Sequence, residues 1–470
     1  MPLLVPTKKD CVVVVDPFST GLCLAQDVMR RGYACIAVYS ETEEVFADWM
    51  ATLSADMRKS FAGEVFHDGS DDSEEELRRV VNGILSFGYN VVGVIVGAEP
   101  GVQLCDRLSE YMRLVTNGSA GSEGRRNKYV MGEKIRSAGM RAVKQCLASS
   151  YEVAEEFIKS MLKPQPFRVI VKPVDSAGSD DVTLCTSLDE VRYCFRNVIG
   201  KINHLGIENT SLLVQEYLEG TEYVVDTVSR NGEHKVVAVW EYDKRCANGA
   251  AFVYYGALLR EAKGDVVLSI VEYVFKVLDA LDIQHGPGHA EVKFVRGEPC
   301  LIEIGARCHG REGTDMPILD RCQGYNQVGA TVDAYFDKQA FQALPKMPTN
   351  LKAHGIKTTL VSYEHGVLHS MPGLSEIESM PSFVDKKIRH TEGVKMAPTI
   401  DMFTTPGCVL MVHPDANVLT QDYERIRALE VKGLYKLKKE PEHPPKSSAI
   451  KGLCSGGIKM DVHHIPVATS

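Results

Sequence analysis

The sequence predicts a multidomain protein of mixed α/β and α+β class, because the pattern of apolar residues changes once along the chain. In residues 1–120, short β-branched runs at 12–15, 34–39 and 91–96 alternate with amphipathic stretches at 22–31 and 74–86. That alternation is typical of a parallel sheet with helical crossovers. Between residues 169 and 304, apolar and polar residues alternate instead, as in antiparallel strands. A chain of 470 residues has room for about three domains.

The boundaries follow from composition. A stretch rich in Gly and Ser at 117–126 separates the two patterns, and the chain becomes rich in Lys and Pro after residue 432. We predict an N-terminal parallel α/β domain at 1–120, a central antiparallel-sheet domain at 121–345, a C-terminal α+β subdomain at 346–432 and a flexible tail at 433–470. The central domain is expected to contain strands at 169–172, 212–215, 223–229, 236–242, 290–294 and 301–304, with helices at 188–199 and 268–281.

Composition excludes several classes of protein. The formal net charge of -9 argues against a general nucleic-acid binder. The apolar run at 91–98 is too short to span a bilayer, and the first residues do not have the pattern of a signal peptide. The 13 cysteines are scattered without a C-x-x-C pair, which indicates thiols in a reducing compartment. We therefore expect a cytoplasmic protein without nucleic-acid or membrane partners; a homodimer is one assembly that the sequence allows.

The N-terminal sheet lacks the dinucleotide-binding fingerprint. The loop after its first strand reads D-P-F-S-T-G, without the G-x-G-x-x-G that lets a pyrophosphate approach a helix N-terminus. We expect this domain to act as a scaffold, with Ser19 and residues 97–101 at the strand ends beside a cleft.

The first candidate site is the stretch V-I-V-K-P-V-D-S-A-G-S-D-D-V at 169–182. A strand ends near Lys172, and the loop that follows contains Ser176, Gly178 and Ser179. Small residues let backbone N–H groups approach a polyphosphate, and a lysine adds positive charge. An ordinary hairpin turn with a surface lysine would show the same pattern.

The second candidate site reads L-L-V-Q-E-Y-L-E-G-T-E-Y-V-V-D, at 212–226. A hydrophobic strand leads into Glu216, Tyr217 and Leu218, and Glu222 opens the next strand. The segment can offer an apolar slot with backbone groups for an adenine base and a carboxylate for ribose hydroxyls. A charged hairpin is the alternative interpretation.

The third candidate site is a pair of acidic residues. Glu291 in A-E-V-K-F and Glu303 in L-I-E-I-G-A-R are expected on neighbouring strands, and they would repel each other unless a cation lies between them. Mg²⁺ prefers such oxygen ligands and completes its shell with substrate phosphates. Arg307, four residues after Glu303, could bind an anionic group through two hydrogen bonds. Two solvated carboxylates are the alternative.

Taken in order, these segments resemble the ATP-grasp superfamily. The order of the motifs matches that family: Lys128 in R-N-K-Y-V-M, then Lys172 with its S-A-G-S loop, then the Q-E-Y-L-E-G-T-E segment, then the strands that carry Glu291 and Glu303. The resemblance extends from residue 11 to residue 429. The chain looks most similar to ATP-dependent carboxylate–amine ligases of the L-amino-acid (dipeptide) ligase and carnosine-synthase type.

The resemblance implies a role for each matching residue. Lys128 and Lys172 would bind ATP phosphates, the segment at 216–218 the adenine, and Glu222 the ribose. Glu291 and Glu303 would bind Mg²⁺, with Mn²⁺ as an alternative metal. Arg307 would be catalytic and stabilise an acyl phosphate and the transition state.

Three positions depart from the family pattern. Gly305 stands where a metal-binding Asn is frequent, which leaves the number of metal ions open. Asp181 replaces a frequent second Gly of the phosphate loop. The segment after Arg307 reads Cys308-His309-Gly310 instead of paired glycines, so His309 either touches the substrate or packs in its loop.

Substrate recognition is less defined. Tyr242, Lys244 and Arg260 could contact an amino acid or form a structural salt-bridge cluster, and His289 lies near Glu291 in what reads as a G-P-G-H turn. The favoured function is ligation of a carboxylate, expected from an amino acid, to an amine through an acyl phosphate, with release of ADP and phosphate. A biotin-carboxylase-like or purine-pathway enzyme and a catalytically silent ATP-binding regulatory module are the alternatives.

Overall fold

The structure is a computed structural model and describes residues 8–176, 181–203 and 207–438. The predicted phosphate-loop residues Gly178 and Ser179 and most of the predicted tail therefore lie outside the described residues.

The N-terminal part is the predicted parallel sheet. Its four strands lie in the order β3-β2-β1-β4 and all pair in parallel. The strands are β1 (Asp10–Val15), β2 (Ala34–Tyr39), β3 (Gly63–Phe66) and β4 (Asn90–Val96). The helices are α1 (Thr20–Arg30), α2 (Ala47–Met50), α3 (Ala55–Ser60), α4 (Glu74–Ser86) and α5 (Val102–Tyr111). Val13 and Val15 pack in one core and Val12 and Val14 in another, so both faces of β1 are buried, as a continuous β-branched run predicts.

A small antiparallel sheet follows, in the order β5-β8-β6-β7. Its strands are β5 (Gln145–Ala148), β6 (Val169–Pro173), β7 (Thr183–Cys185) and β8 (Leu212–Glu216). Around it lie α6 (Lys128–Ser137), α7 (Tyr151–Phe157) and α8 (Leu188–Val198). The side chain of Ser187 accepts a hydrogen bond from the backbone N–H of Glu190 and so caps α8, which begins and ends within one residue of its predicted bounds.

The second antiparallel sheet has eight strands, in the order β13-β12-β9-β10-β11-β14-β18-β16. From the central part of the chain come β9 (Thr221–Arg230), β10 (Glu233–Ala247), β11 (Ala250–Arg260), β12 (Gly286–Val295) and β13 (Glu298–Gly305), with helix α9 (Asp265–Ala280). Strand β11 was not predicted. The expected G-P-G-H turn is wrong, because Gly286–Val295 is one strand that pairs with β9 from its first residue.

The C-terminal part continues this large sheet. Its helices are α10 (Met316–Cys322), α11 (Gln327–Phe336), α12 (Lys338–Ala343), α13 (Leu374–Glu378) and α14 (Ala416–Val431). Its strands are β14 (His354–Thr359), β15 (Gly366–Ser370), β16 (Phe383–Ile388), β17 (Lys395–Met396), β18 (Gly407–His413) and β19 (Lys436–Lys438). Strand β14 pairs with β11, so the large sheet crosses the predicted boundary at 345/346. The start of the predicted tail also differs: Leu434 is fully buried and β19 pairs with β15, because apolar residues alternate with the lysines there.

Among the residues that the structure describes, no helix is long and apolar enough to cross a bilayer.

Candidate active site

A cleft of about 820 Å³ brings the predicted site residues together. Its walls come from the small sheet, from the large sheet and from helices α1, α2 and α6. Ser19, which was expected beside a cleft, lines it. So do fourteen of the candidate site residues: Lys128, Lys172, Ser176, Glu216, Tyr217, Leu218, Glu222, Tyr242, Lys244, His289, Glu291, Glu303, Arg307 and His309. Arg260 is not among the lining residues; its Nε lies 3.0 Å from Glu241 Oε2, which is the structural salt bridge that the sequence left as an alternative.

The two acidic residues form a candidate metal site. Glu291 and Glu303 lie directly opposite each other on β12 and β13, so their side chains share one face of the sheet. Lys244 Nζ is 3.8 Å from Glu291 Oε2, and Lys128 Nζ is 3.3 Å from Glu303 Oε2. Burial alone would raise the pKa of Glu291, but Lys244 and His289 outweigh burial and hold that pKa well below its usual range. Ionised carboxylate oxygens on one face fit a divalent cation such as Mg²⁺.

Two lysines lie beside these carboxylates. Lys172, next to last in β6, is only 5 % exposed. Burial lowers the pKa of Lys172 to about 8, and the charge of Glu303 offsets only part of that effect. Lys128 begins α6, where Asn127 caps the helix, and its Nζ donates a hydrogen bond to the backbone carbonyl of Ser176. Both ammonium groups can therefore meet a polyanion in the cleft.

The segment after β8 borders an apolar part of the cleft. Leu218 packs with Val143 and Ile302, and all three line the cavity. The carboxylate of Glu216 accepts hydrogen bonds from Arg141 Nη1, at 2.9 Å, and from the backbone N–H of Lys144, at 2.8 Å. Because that carboxylate is already engaged, any contact of Glu216 with a bound base would use its backbone.

Glu222 faces the cleft from the start of β9. Burial raises the pKa of this carboxyl group, while Lys244 favours its ionised form. Lys244 Nζ donates a hydrogen bond to Glu222 and lies 4.2 Å from the centroid of the Tyr254 ring and 5.0 Å from that of Tyr242. Lys244 thus links the predicted ribose carboxylate to Glu291, at 3.8 Å, and its charge is neutralised within the site.

Arg307 is held by a residue that sequence reasoning missed. Its Nε lies 2.7 Å from Glu99 Oε2, and Arg126 Nη1 is 3.7 Å from Glu99 Oε1. Burial would raise the pKa of Glu99, but Arg307 and Arg126 outweigh it and lower that pKa. Glu99 lies just after β4, at the carboxyl edge of the parallel sheet. The expectation that residues 97–101 border a cleft was the signal that could have identified Glu99.

Asp226 is the second residue that the sequence did not single out. It is fully buried and accepts hydrogen bonds from His289 Nδ1 at 2.8 Å, His309 Nδ1 at 3.0 Å and Trp240 Nε1 at 2.9 Å. Burial lowers the pKa of His309 well below its usual value, so its ring is neutral. The pKa of His289 is raised, because Asp226 and Glu291 outweigh the effect of burial. Asp226 therefore fixes the orientation of both cleft histidines.

Comparison with known proteins agrees with this geometry. Residues 165–315 match the ATP-grasp domain family. Dapdiamide A synthase of Enterobacter agglomerans is 27 % identical over 430 residues, which cover 90 % of this chain and 96 % of that protein. The crystal structure of an L-amino acid ligase from Bacillus licheniformis superposes with a TM-score of 0.70 at 18 % identity, covering 93 % of this chain and all of that one. Phosphoribosylglycinamide synthetase from Anaerococcus prevotii has the same fold at a TM-score of 0.61 and 14 % identity.

The central part of the chain, residues 165–315, therefore matches the ATP-grasp domain family, in agreement with the order of its motifs. Over 90 % of its length the chain is similar to dapdiamide A synthase, and it shares its fold with an L-amino acid ligase. The predicted mixed α/β architecture is confirmed by the same comparison.

Proposed function

We propose that this protein is an ATP-dependent carboxylate–amine ligase. It joins the carboxylate of an amino acid to an amine through an acyl phosphate and releases ADP and phosphate. The observation that carries the proposal is the position of Arg307. Its guanidinium lines the same cleft as the facing carboxylates of Glu291 and Glu303 and the ammonium groups of Lys128 and Lys172. Such a site can bind a polyphosphate and stabilise negative charge that develops beside it.

ATP would bind between the two antiparallel sheets. Its base would lie against Leu218, Val143 and Ile302, and its phosphates would meet Lys128 and Lys172. Glu291 and Glu303 would hold Mg²⁺, which neutralises phosphate charge during phosphoryl transfer when it is bound.

The protein's own groups would position the reactants and stabilise charge. Arg307 can donate two parallel hydrogen bonds to the transferred phosphoryl group and then to the oxyanion that forms when the amine attacks. Glu99 keeps the guanidinium in place through the contact at Nε, and Nη1 donates one hydrogen bond to the backbone carbonyl of Cys308, at 3.1 Å. Nη2 and the second N–H of Nη1 are left for an anion. Binding carboxylate and amine together would lower the entropy cost of their reaction.

The comparisons do not favour the alternatives that the sequence left open. The purine-pathway enzyme superposes less well than the L-amino acid ligase, and the similarity to dapdiamide A synthase spans 90 % of the chain. A silent nucleotide-binding module would have no need for the two facing carboxylates and Arg307.

The test is to identify the nucleotide product in a screen of amino-acid pairs. Purified protein with Mg-ATP should release ADP and phosphate only when a productive pair is present, and an amide should form in equal amount. Release of AMP and pyrophosphate would refute the acyl-phosphate mechanism. Absence of turnover with every amine, together with normal ATP binding, would favour the regulatory module.

A further inference from the structure

A smaller pocket opens from the main cleft at the end that the C-terminal strands provide. Its volume is about 20 Å³, enough for a water molecule or an oxygen of a bound group. It shares Arg311, Lys387, Arg389 and Met402 with the cleft, so a substrate in the cleft can reach into it. None of the predictions from sequence involves these residues.

Two hydrogen-bond donors in this pocket are buried without partners among the described residues. Lys357 and Thr359 are 0 % and 1 % exposed, and neither Lys357 Nζ nor Thr359 Oγ1 has a hydrogen-bond partner. They are two residues apart on β14, so they point to the same face of the sheet. Buried polar groups in native proteins are nearly always paired, and a lysine ammonium is the costliest kind to leave alone. The arrangement therefore indicates an acceptor that enters from outside the chain.

The charge of the pocket indicates what kind of acceptor fits. Four cationic side chains line it, and no carboxylate does so among the residues that the structure describes: the four are Arg311, Lys357, Lys387 and Arg389. Strand pairing explains how Lys387 reaches the pocket. Cys408 on β18 lies opposite Thr359 on β14 on one side and opposite Lys387 on β16 on the other. The excess of positive charge selects an anion.

The acidic residues nearby leave this excess in place. Glu312 contacts Lys387 and lies 3.5 Å from Arg389 Nη2, but it lines only the main cleft. Asp315 is the acidic residue that most favours a charged Lys357, and burial raises the pKa of Asp315 itself to about 6. Three carboxylates, those of Glu312, Asp315 and Asp226, thus act on these four cations, which leaves a net positive charge at this end of the cleft.

We propose that this basic pocket binds a carboxylate of one of the two substrates, through Lys357 Nζ and Thr359 Oγ1, and so makes the enzyme selective for an anionic substrate. The inference rests on the proposed function. The carboxylate can belong to an acidic side chain or be the α-carboxylate of the amine substrate, and both present the same two oxygens. A planar carboxylate can also accept hydrogen bonds from the guanidinium of Arg311 or Arg389.

The protonation of Lys357 agrees with an anion site. Burial, and after it the charge of Arg311, lowers the pKa of Lys357 to about 8, while Asp315, Cys408 and Asp226 act in the opposite direction. A carboxylate bound beside this amine favours its protonated form, so binding near pH 8 is accompanied by proton uptake.

The experiment is calorimetric titration of the Mg-ADP complex with matched pairs of acid and amide. One arm compares glutamate with glutamine and aspartate with asparagine; the other compares alanine with alaninamide. In at least one arm, the wild-type protein should bind the acid about 10- to 100-fold more tightly than the amide, as expected for charge-assisted hydrogen bonds. The arm that shows the preference identifies the source of the carboxylate.

Variants test whether the pocket is responsible. Lys357→Met should bring the ratio of acid to amide affinity close to one and abolish proton uptake at pH 8. Thr359→Val replaces an unpartnered hydroxyl by a methyl group of similar size. It should lower the ratio of acid to amide affinity by about 3- to 10-fold. This second variant tests the pocket even if the lysine variant does not fold. Lys263→Met removes an exposed lysine outside the cleft and should leave the ratio unchanged.

The proposal is overturned if neither arm shows a preference for the acid, or if the preference survives in both pocket variants. The first result would mean that water alone fills the pocket. Because binding is measured without turnover, a preference for acids in a protein that forms no amide would refute the ligase function and keep the anion pocket.

Discussion

Lys172 allows a test in which stability and nucleotide binding change in opposite directions. Lys172 lines the cleft but is only 5 % exposed, and burial lowers the pKa of its ammonium group from 10.5 to about 8. The unfolded chain holds this proton up to about pH 10.5, so folding disfavours the charged form. That difference corresponds to about 3 kcal/mol, because each pKa unit is worth about 1.4 kcal/mol.

The sign of the pH dependence follows from this. Below pH 8, Lys172 is charged in both states, and the cost of burying it is fully present. Between pH 8 and pH 10.5 only the unfolded chain still binds the proton, so this cost falls as the pH rises. Above pH 10.5 both states are neutral and the cost is absent.

Lys172→Met replaces the amine by an apolar chain of similar length. We expect the nucleotide-free variant to be more stable than the wild type at pH 7, by up to about 3 kcal/mol, with the difference shrinking toward pH 10. The affinity for Mg-ATP should fall by at least about 10-fold, since a charged partner of the phosphates is lost. Denaturant unfolding at pH 7, 8, 9 and 10 measures the first effect, and calorimetry measures the second.

The matched control is Lys263→Met, which removes an exposed lysine and should change neither quantity. A Lys172→Met variant that is less stable than the wild type at pH 7, or whose stability difference does not depend on pH, would show that the ammonium is not buried at a cost. Unchanged affinity for Mg-ATP would remove Lys172 from the phosphate site.

Three other substitutions test the rest of the site. Glu303→Gln should raise the Mg²⁺ concentration needed for half-maximal turnover at least about 10-fold, since one anionic ligand becomes neutral, and an unchanged Mg²⁺ titration would contradict the metal site. Arg307→Lys should lower kcat by about 10²- to 10³-fold and change the Kd of ATP by less than about 3-fold, because the charge stays and the planar fork is lost. Equal losses in kcat and ATP affinity would place Arg307 in ground-state binding instead. Asp226→Asn should lower the free energy of unfolding by about 3 to 5 kcal/mol, because the buried partner of His289 and His309 loses its charge. A denaturation midpoint equal to that of the wild type would show that Asp226 does not hold these rings.

Local pattern was sufficient for much of the fold. The strand Ala34–Tyr39 and the helix Glu74–Ser86 have the predicted bounds, since each has a clear apolar period and the helix is capped by Ser73. The facing pair Glu291 and Glu303 also followed from local pattern, because one short turn fixes the register of the two strands.

Strand β11 was missed for a physical reason. Ala250–Arg260 reads A-A-F-V-Y-Y-G-A-L-L-R, an apolar run with an internal glycine and no clear alternation. It is a strand because it lies between β10 and β14, and β14 comes about a hundred residues later. The pairing with β14 is distant and leaves little trace in the local sequence. The pairing with β10 is local, and the Asn248-Gly249 turn between the two strands, with positive φ at both residues, was a signal that the prediction did not use.

The contacts that complete the site are likewise distant in sequence. Glu99 meets Arg307 across 208 positions of the chain, and Asp226 meets His309 across 83. Each of these acidic residues looks like an ordinary polar residue next to a strand or within one. Packing of the parallel sheet against the large sheet brings Glu99 to Arg307. Asp226 instead meets His289 directly opposite it on the neighbouring strand β12, and His309 from the loop after β13.

The Glu99–Arg307 pair also accounts for the glycine that departs from the family pattern. A Cβ atom added at Gly305 would lie 2.7 Å from Glu99 Oε2 and 2.9 Å from Arg307 Cζ, both shorter than real Cβ contacts. An asparagine there would have to displace the carboxylate or the guanidinium, which are each only 16 % exposed and hold each other. The space that a metal-binding amide would occupy is thus filled by the ion pair that positions Arg307. Gly305 leaves room for the Glu99–Arg307 pair, because it has no side chain. In the proposed site, the side-chain oxygen ligands for a metal would come from Glu291 and Glu303.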